Sequence, residues 1–546
     1  MPPRPRLLAL GVALAASAAA LVGGGAAPVH AAPPGARTGP ATVSGTLTAL
    51  VADGFRSGTT STTLAVTPGG TAGSPVPLTG VTATDEHPLV GARVSVRGTR
   101  TASGALRTSD AALAASGTAS RTAELALPTG SGKRTYTVLA ISLRFADRPS
   151  EAPASPSTVA ARLFGASSSV RAFYAESSDR LWTVGGRAVG PYTVTRSNPS
   201  SCDFREWGEK AQAAARAAKV DTSAYTNIMV VVPRQASCGW DGLAEVPGTW
   251  SWINQDSPSL LVTAHELGHN FGEHHASGYR CTTGTTNVTL GAPSGCSDPS
   301  GTVLEYADPF SVMGNTHARL HPAAGRVHFG QVKPVSVPAG EARTVRIVPS
   351  ETPSGNRELR IPRRDGSWLT AELRTTTGAF DTFAATDPAV RGVTFRIDRG
   401  AGHQSWLLDG KPATSSFADA PVLPGGSVTD ATTGVRVDVV SVTAAGAVLR
   451  VGSRVAPRDL ALAVSGSTLQ ATWTAPSGVV ASGGYTVTVD GRTEQVSGTS
   501  WSGPTWSGRH TVAVRAVDGG GTAWPAASAT IKVSARLTAT PVRPLR

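Results

Sequence analysis

Apolar and polar residues alternate with a period of two along much of this chain, the pattern of half-buried β-strands. Between residues 41 and 120 the runs 41–51, 62–67 and 89–98 alternate and are separated by turn residues, which predicts a small β-barrel or sandwich. Arg134–Phe145, with Tyr136, Val138, Leu139, Ile141 and Leu143, predicts a buried first strand of a different kind of domain. The apolar spacing then becomes helical. Residues 155–178 predict one helix, capped by Ser157 or Thr158, with Val159, Leu163, Val170 and Phe173 on its apolar face. Residues 181–194 predict paired strands, 206–218 an Ala-rich helix, Asn227–Val232 an apolar strand, Leu260–Asn270 a helix and 318–329 a closing helix. From residue 335 the alternation returns. The runs 344–348, 359–361, 368–374, 392–397, 435–442 and 447–451 predict an antiparallel β-sandwich. A further sandwich is predicted from 469–473, 484–489 and 510–517, with Trp473 and Tyr485 as core aromatics.

The chain has 546 residues, too many for one core, and roughly three or four domains are expected. Charged residues make up only 16%, and 61 Gly and 39 Pro accompany abundant Thr, Ser and Val, which favours β-rich domains with many turns. Arg4 and Arg6, the apolar stretch 7–22 and the small residues around Ala31 read as a secretory signal peptide over 1–31. No second long apolar run follows, so no transmembrane span is expected. The formal net charge is +12. It falls to about +10 once Arg4 and Arg6 are removed. The arginines are dispersed, without a basic cluster or interleaved aromatics, and nucleic acid is set aside as a partner. Cys202, Cys238, Cys281 and Cys296 are an even set in an exported chain and suggest two disulfides. Three connectivities exist; Cys202–Cys238 and Cys281–Cys296 are favoured because each closes a local loop. Residues 129–132 (Thr-Gly-Ser-Gly) read as a linker and residues 537–546 as a disordered tail.

The chemistry lies in His265-Glu266-Leu267-Gly268-His269-Asn270-Phe271-Gly272-Glu273-His274-His275. His265 and His269, four apart, share one helix face and can reach one ion. Gly272 permits the turn that returns His275 as a third ligand. Three protein ligands leave one position for water, as a catalytic zinc site requires. Glu266 is placed to act as general base. Downstream, Glu305-Tyr306-Ala307-Asp308-Pro309-Phe310-Ser311-Val312-Met313-Gly314 places a methionine at a turn.

Both motifs resemble those of the metzincin zinc peptidases, H-E-x-x-H-x-x-G-x-x-H followed by a methionine turn, and in wording most resemble the gametolysin-type branch. The resemblance covers about residues 133–335. It implies an α/β (α+β) protease domain at 131–334, flanked by an N-terminal all-β domain at 32–130 and a β-sandwich at 335–455. Residues 456–536 resemble a fibronectin type III domain. The implied function is a secreted, extracellular zinc endopeptidase, hydrolysing peptide bonds of extracellular proteins by metal-activated water. Glu266 is its base, His265, His269 and His275 hold one catalytic zinc, and Gly272 and Met313 are structural. Such enzymes bind substrate as an extra strand on a sheet edge, and Gly242, Leu243 and Ala244 of Gly242–Val246 are the candidates here. Astacin-like relatives carry a tyrosine two residues after the methionine; Asn315 stands there, so the site is expected to be plain three-histidine.

Residues 32–130 are a candidate propeptide. They contain no cysteine, which excludes silencing by a cysteine thiolate; Asp85 or His87 is weighed as a blocking group against an ordinary surface turn. Calcium at Asp298, Glu305 or Asp308 finds no support in their spacing. His317, His321 and His328 read as surface or packing residues. Trp501 and Trp506 suit a wall or matrix polymer bound by the C-terminal domains, or core packing. Two other readings compete: an adhesion protein with a vestigial zinc domain, and a zinc hydrolase of a non-peptide amide or ester. Glu266 and the open coordination position argue against the first, and an extended edge strand would favour peptides over the second.

Overall fold

The computed structural model describes residues 38–534, apart from 70–72, 117–132, 291–295, 297–302, 339–340, 364, 431–432, 454–455, 477–480, 482 and 518–522. The signal peptide, the linker at 129–132, Asp298 and the tail lie outside the described residues.

The N-terminal residues form β1 (Gly39–Gly54), β2 (Thr59–Thr67), β3 (Val76–Thr79), β4 (Arg93–Arg100) and β5 (Leu106–Arg107), then α1 (Asp110–Ser116). β1 pairs with β2 on one side and with β4 on the other, and β3 and β5 close the circuit into a barrel. Its core is Val43, Leu47, Val51, Leu64, Val66, Val94, Val96 and Leu106, the inward set of the alternating positions.

The central region contributes β6 (Arg134–Phe145), α2 (Pro156–Phe164), α3 (Val170–Ser177), β7 (Trp182–Val194), α4 (Phe204–Ala217), β8 (Asn227–Val232), β9 (Gly242–Val246), β10 (Trp250–Asn254) and α5 (Leu260–Asn270). β6, β7, β8 and β10 run parallel, and β9 is antiparallel to β10. Strands buried on both faces need apolar residues at every position. In β6, Val138 and Ala140 pack with α2, α3 and α5, while Leu139, Ile141 and Leu143 pack with α4.

Three predicted elements differ. The helix expected at 155–178 is two, because Gly165 ends α2 and Ser169 caps α3 by accepting from Ala172 N. The paired strands expected at 181–194 are the single strand β7. Its Gly185-Gly186 is no turn: a Cβ on Gly186 would overlap the Val138 carbonyl, so the glycine serves close approach of two strands. The closing helix expected at 318–329 is only Ala323–His328, entered from Pro322.

Sheet hydrogen bonding does not stop at the expected domain boundaries. β1 also pairs with β9, so barrel and central sheet form one ten-stranded sheet. Ala276–Tyr279, just after the histidine motif, joins a seven-stranded sheet with Val303–Leu304 and five strands from 335–408, and a four-stranded sheet packs on it through one core. Within 335–455, Val335–Ser336 pairs parallel with Leu359–Arg360, where only antiparallel pairing was expected. Residues 458–533 form separate sheets of three and four strands around Trp473, Tyr485, Val487 and Val514. The chain is thus mixed and largely β. No described helix is long and apolar enough to cross a membrane.

Candidate metal centre and active site

α5 is fixed before any metal is considered. Ser259 caps it by accepting from Val262 N, and the Tyr174 hydroxyl donates to Ala264 O at 2.7 Å. Near its other end Asn270 donates to Glu245 O (3.1 Å) and Trp250 O (2.9 Å), tying the helix to β9 and β10. Gly272 then takes φ +96°, a conformation that costs other residues, and the chain reverses to deliver His275. Beneath the helix Met313 is buried. A side chain on Gly268 would strike its sulfur.

His265, His269 and His275 converge and are fully buried. Each ring has its Nδ1 engaged: His265 with Val312 O (2.8 Å), His269 with Glu273 O (2.7 Å) and His275 with the Glu305 carboxylate. Carbonyl and carboxylate oxygens only accept, so the Nδ1 atoms carry the hydrogens and the Nε2 lone pairs turn inward. His269 Nε2 and His275 Nε2 are 3.1 Å apart. A fourth donor joins them from β1. Asp53 Oδ2 is 3.4 Å from His265 Nε2 and 3.2 Å from His269 Nε2, and Oδ1 is 3.1 Å from His275 Nε2. Lone pairs and a carboxylate facing inward within 4.8 Å of one another repel unless a cation sits among them. The donor set, three imidazoles and one carboxylate, suits zinc.

Glu266 lies beside this group with both carboxylate oxygens buried and without a hydrogen-bond partner. It packs flat on β9, where a Cβ at Gly242 would overlap its carboxylate. Burial, and then the charge of Asp53, raise its pKa well above the carboxylate range. His269 is pushed down to about 4, chiefly by burial.

Residues 161–362 match the family Gametolysin peptidase M11. The match supports a metallopeptidase of the gametolysin type. No curated protein sequence matches the chain. Among solved structures, the spore cortex lytic enzyme SleM of Clostridium perfringens is similar at 17% identity over 18% of this chain, with a TM-score of 0.14. The chain spans about a third of SleM, 36% of its length. Fibronectin(III)-like modules of CbhA from Clostridium thermocellum are similar at 23% identity over 14% of this chain and 91% of that one, with a TM-score of 0.12. A chaperone–substrate complex is similar at 16% identity, covering 46% of this chain and 38% of that one, with a TM-score of 0.22. At such scores these likenesses carry no argument.

Within the gametolysin-matched segment the structure brings together every residue singled out for the zinc site: His265, Glu266, His269, Gly272, His275 and Met313. Gly242, Leu243 and Ala244 lie in β9 beside it, but β9 is not an open edge, because β1 covers it. Cys202 pairs with Cys238 and Cys281 with Cys296, both within or beside the matched segment. His321 is packed among Phe173, Tyr174 and Phe329, and His328 pairs with Asp398. Asp85 does not reach the centre; it accepts from His274 Nδ1 at 2.7 Å. His87 only accepts from Leu89 N within its own turn. The carboxylate at the centre is Asp53, which sequence reasoning missed. Its one signal was an acid closing the apolar run Leu50-Val51-Ala52. Glu305 and Tyr306 were missed as well. Glu305 orients His275, and the Tyr306 hydroxyl donates to Asp53 Oδ1 at 2.6 Å.

Proposed function

We propose that this chain is a secreted, zinc-dependent endopeptidase of metzincin type. His265, His269 and His275 would hold the catalytic metal and Glu266 would serve as general base. The observation that carries the reading is the convergence of three oriented Nε2 atoms beside a buried carboxylate that has no other partner. Zinc bound there supplies a Lewis acid for the scissile carbonyl and acidifies water.

The chain's own groups account for the remaining steps. With β1 withdrawn, β9 would offer backbone donors and acceptors to an extended peptide and hold the scissile bond beside α5. Glu266 accepts a proton from water as the water oxygen bonds to the carbonyl carbon. It then returns the proton to the amine nitrogen as the C–N bond breaks. Gly242 keeps Glu266 against the strand. Export rests on the signal peptide read at 1–31, and the two disulfides accord with an oxidising compartment. The sandwich at 458–533 is read as a fibronectin type III-like accessory domain. A groove that accepts an extended strand, as β9 accepts β1, favours peptides over a small amide or ester.

The test compares wild type with Glu266→Ala, each with the chain cut between residues 116 and 134. Zinc content and casein cleavage are measured with and without chelator. Stoichiometric zinc in both, with chelator-sensitive cleavage lost in the variant, is expected. Cleavage that survives Glu266→Ala would overturn the mechanism.

A further inference from the structure

The end of β1 lies where a substrate would. Ala49–Asp53 run antiparallel to β9 in the register Ala49↔Val246 to Asp53↔Gly242. The last of these pairs sets Asp53 opposite Gly242, against which the Glu266 carboxylate packs. Four donors on a tetrahedral zinc with bonds of about 2.0–2.1 Å stand about 3.3 Å apart. The contacts of Asp53 with the three imidazoles, 3.1 to 3.4 Å, and the His269–His275 contact of 3.1 Å match that spacing. The carboxylate is held for the role. Tyr306 donates to Oδ1 from a left-handed backbone (φ +59°), a conformation a tyrosine adopts only when its surroundings impose it. Phe55 packs edge-on against His265.

The rest of the barrel is anchored to match. Glu245 of β9, fully buried, accepts from Thr48 and Thr67. Asp85 holds His274, and Glu86 pairs with Arg399 (2.6 Å) and His403 (3.2 Å). Polar contacts therefore fasten the barrel on both sides of the centre, and every one joins it to residues beyond 240.

We propose that Asp53 is the fourth metal ligand in the intact chain and that β1 occupies the substrate's place along β9, so the N-terminal barrel holds the enzyme shut. The inference rests on the endopeptidase reading above for its consequence, but not for its ligand assignment. Four protein ligands leave no position for water, and a covered β9 leaves no edge for a peptide. A purely structural four-ligand site would not need Glu266, unpartnered and buried beside it. Activation is the departure of the barrel, which frees the fourth position and the strand together.

The test uses the full chain loaded with cobalt(II), whose visible spectrum reports ligand number and type, together with cleavage of an unstructured peptide. Wild type, Asp53→Ala, Asp53→Asn and a wild-type chain cut between residues 116 and 134 are compared. Intact wild type is expected to be silent. The cut chain should gain cleavage by about a hundredfold or more, as expected when under one part in a hundred of the intact chain is open. Both Asp53 variants should shift the cobalt spectrum in the direction the cut chain does, and Asp53→Ala should raise cleavage part of the way. An intact wild type as active as the cut chain would overturn the inhibition. An unchanged spectrum in both Asp53 variants, with metal bound, would overturn the ligand. If the spectrum shifts but no form cleaves any peptide, the ligand assignment stands and the endopeptidase reading fails.

Discussion

The two ends of the chain carry β domains of similar sequence texture, and only one of them is wired to the chemistry. The N-terminal barrel shares a sheet with the central region, sends Asp53 among three histidines and engages buried polar groups there. Among the described residues, the C-terminal unit at 458–533 pairs its strands only with one another, and its core cluster draws only on its own residues. Period-two alternation is the same in both. What differs is where polar residues interrupt it: Thr48 and Asp53 are buried in β1, whereas the polar positions of Thr468–Thr474 face solvent. A buried polar residue on a strand must be met by something, and what meets it shows what the strand is for.

The strongest way to break this comparison is at its contact point. Gly242 faces Asp53 across the sheet and gives Glu266 its room. Gly242→Ala in the cut chain should displace Glu266 and lower kcat by about 10²–10³-fold, on the scale of a lost acid–base catalyst, with zinc content unchanged. Steady-state kinetics and metal analysis check it. Near-normal turnover would mean that Glu266 does not need this seat. A slightly smaller loss is expected from Tyr306→Phe. Once Asp53 leaves, its hydroxyl points to where an oxygen has been held, the geometry of an oxyanion donor, and about 10²-fold in kcat with little change in KM is expected. In the intact chain the same variant loosens Asp53, so it should raise basal cleavage. Opposite signs in the two forms are a signature that mere destabilisation would not give.

The zinc helix was legible because its chemistry is local: His265, Glu266, His269, Gly272 and His275 are fixed by spacing along one helix and one turn. Met313 was legible for the same reason. The strands Arg134–Phe145 and Asn227–Val232 were read to their ends, since residues buried on both faces leave an unbroken apolar run. Asp53 was not legible, because its meaning depends on a pairing across nearly two hundred residues of chain, and register is not written in either strand alone. Asp85, in a polar loop, drew attention instead and proves to hold His274. Gly165 and Gly186 mark the limit of the glycine signal. The first ends a helix that the apolar spacing ran straight through, and the second allows close strand packing where a turn was expected.

A subtler test concerns residues 335–408, which behave like the N-terminal barrel in being joined to the site. Glu372 receives Arg374 and Arg396 and accepts from Ala323 N at 2.6 Å. Arg396 also holds Asp308 at 2.8 Å, and Arg374 donates to Phe310 O and Leu320 O, on either side of Met313. Burial opposes the charge on Glu372, but the two arginines outweigh it and bring the pKa to about 2, below the ordinary 4.5. The folded form thus binds this proton more weakly than the unfolded chain. The stabilisation is complete above about pH 4.5 and is lost as pH falls toward 2, about 3 kcal/mol in all. Urea midpoints measured from pH 6 to pH 3 should fall less steeply in Glu372→Gln, which starts lower, than in wild type. Parallel curves would remove Glu372 from the acid response.

The smallest effect on the site is expected from damage at the far end. Trp473 and Tyr485 meet edge to face, with ring centroids 5.3 Å apart, in the core of the C-terminal sandwich. Trp473→Ala removes one of the two buried tryptophans there and should cost about 3–5 kcal/mol, enough to unfold a unit of this size at ordinary stability. Because that unit shares no sheet with the metal centre, the loss should stay local. Calorimetry should show the sandwich's transition lowered or gone and the remaining transition in place. Zinc content and peptide cleavage of the cut chain should stay within about twofold, the range of substitutions far from a site. A matching fall in zinc content or turnover would show coupling between the C-terminal unit and the centre that no strand pairing carries, and the contrast between the two ends would fail.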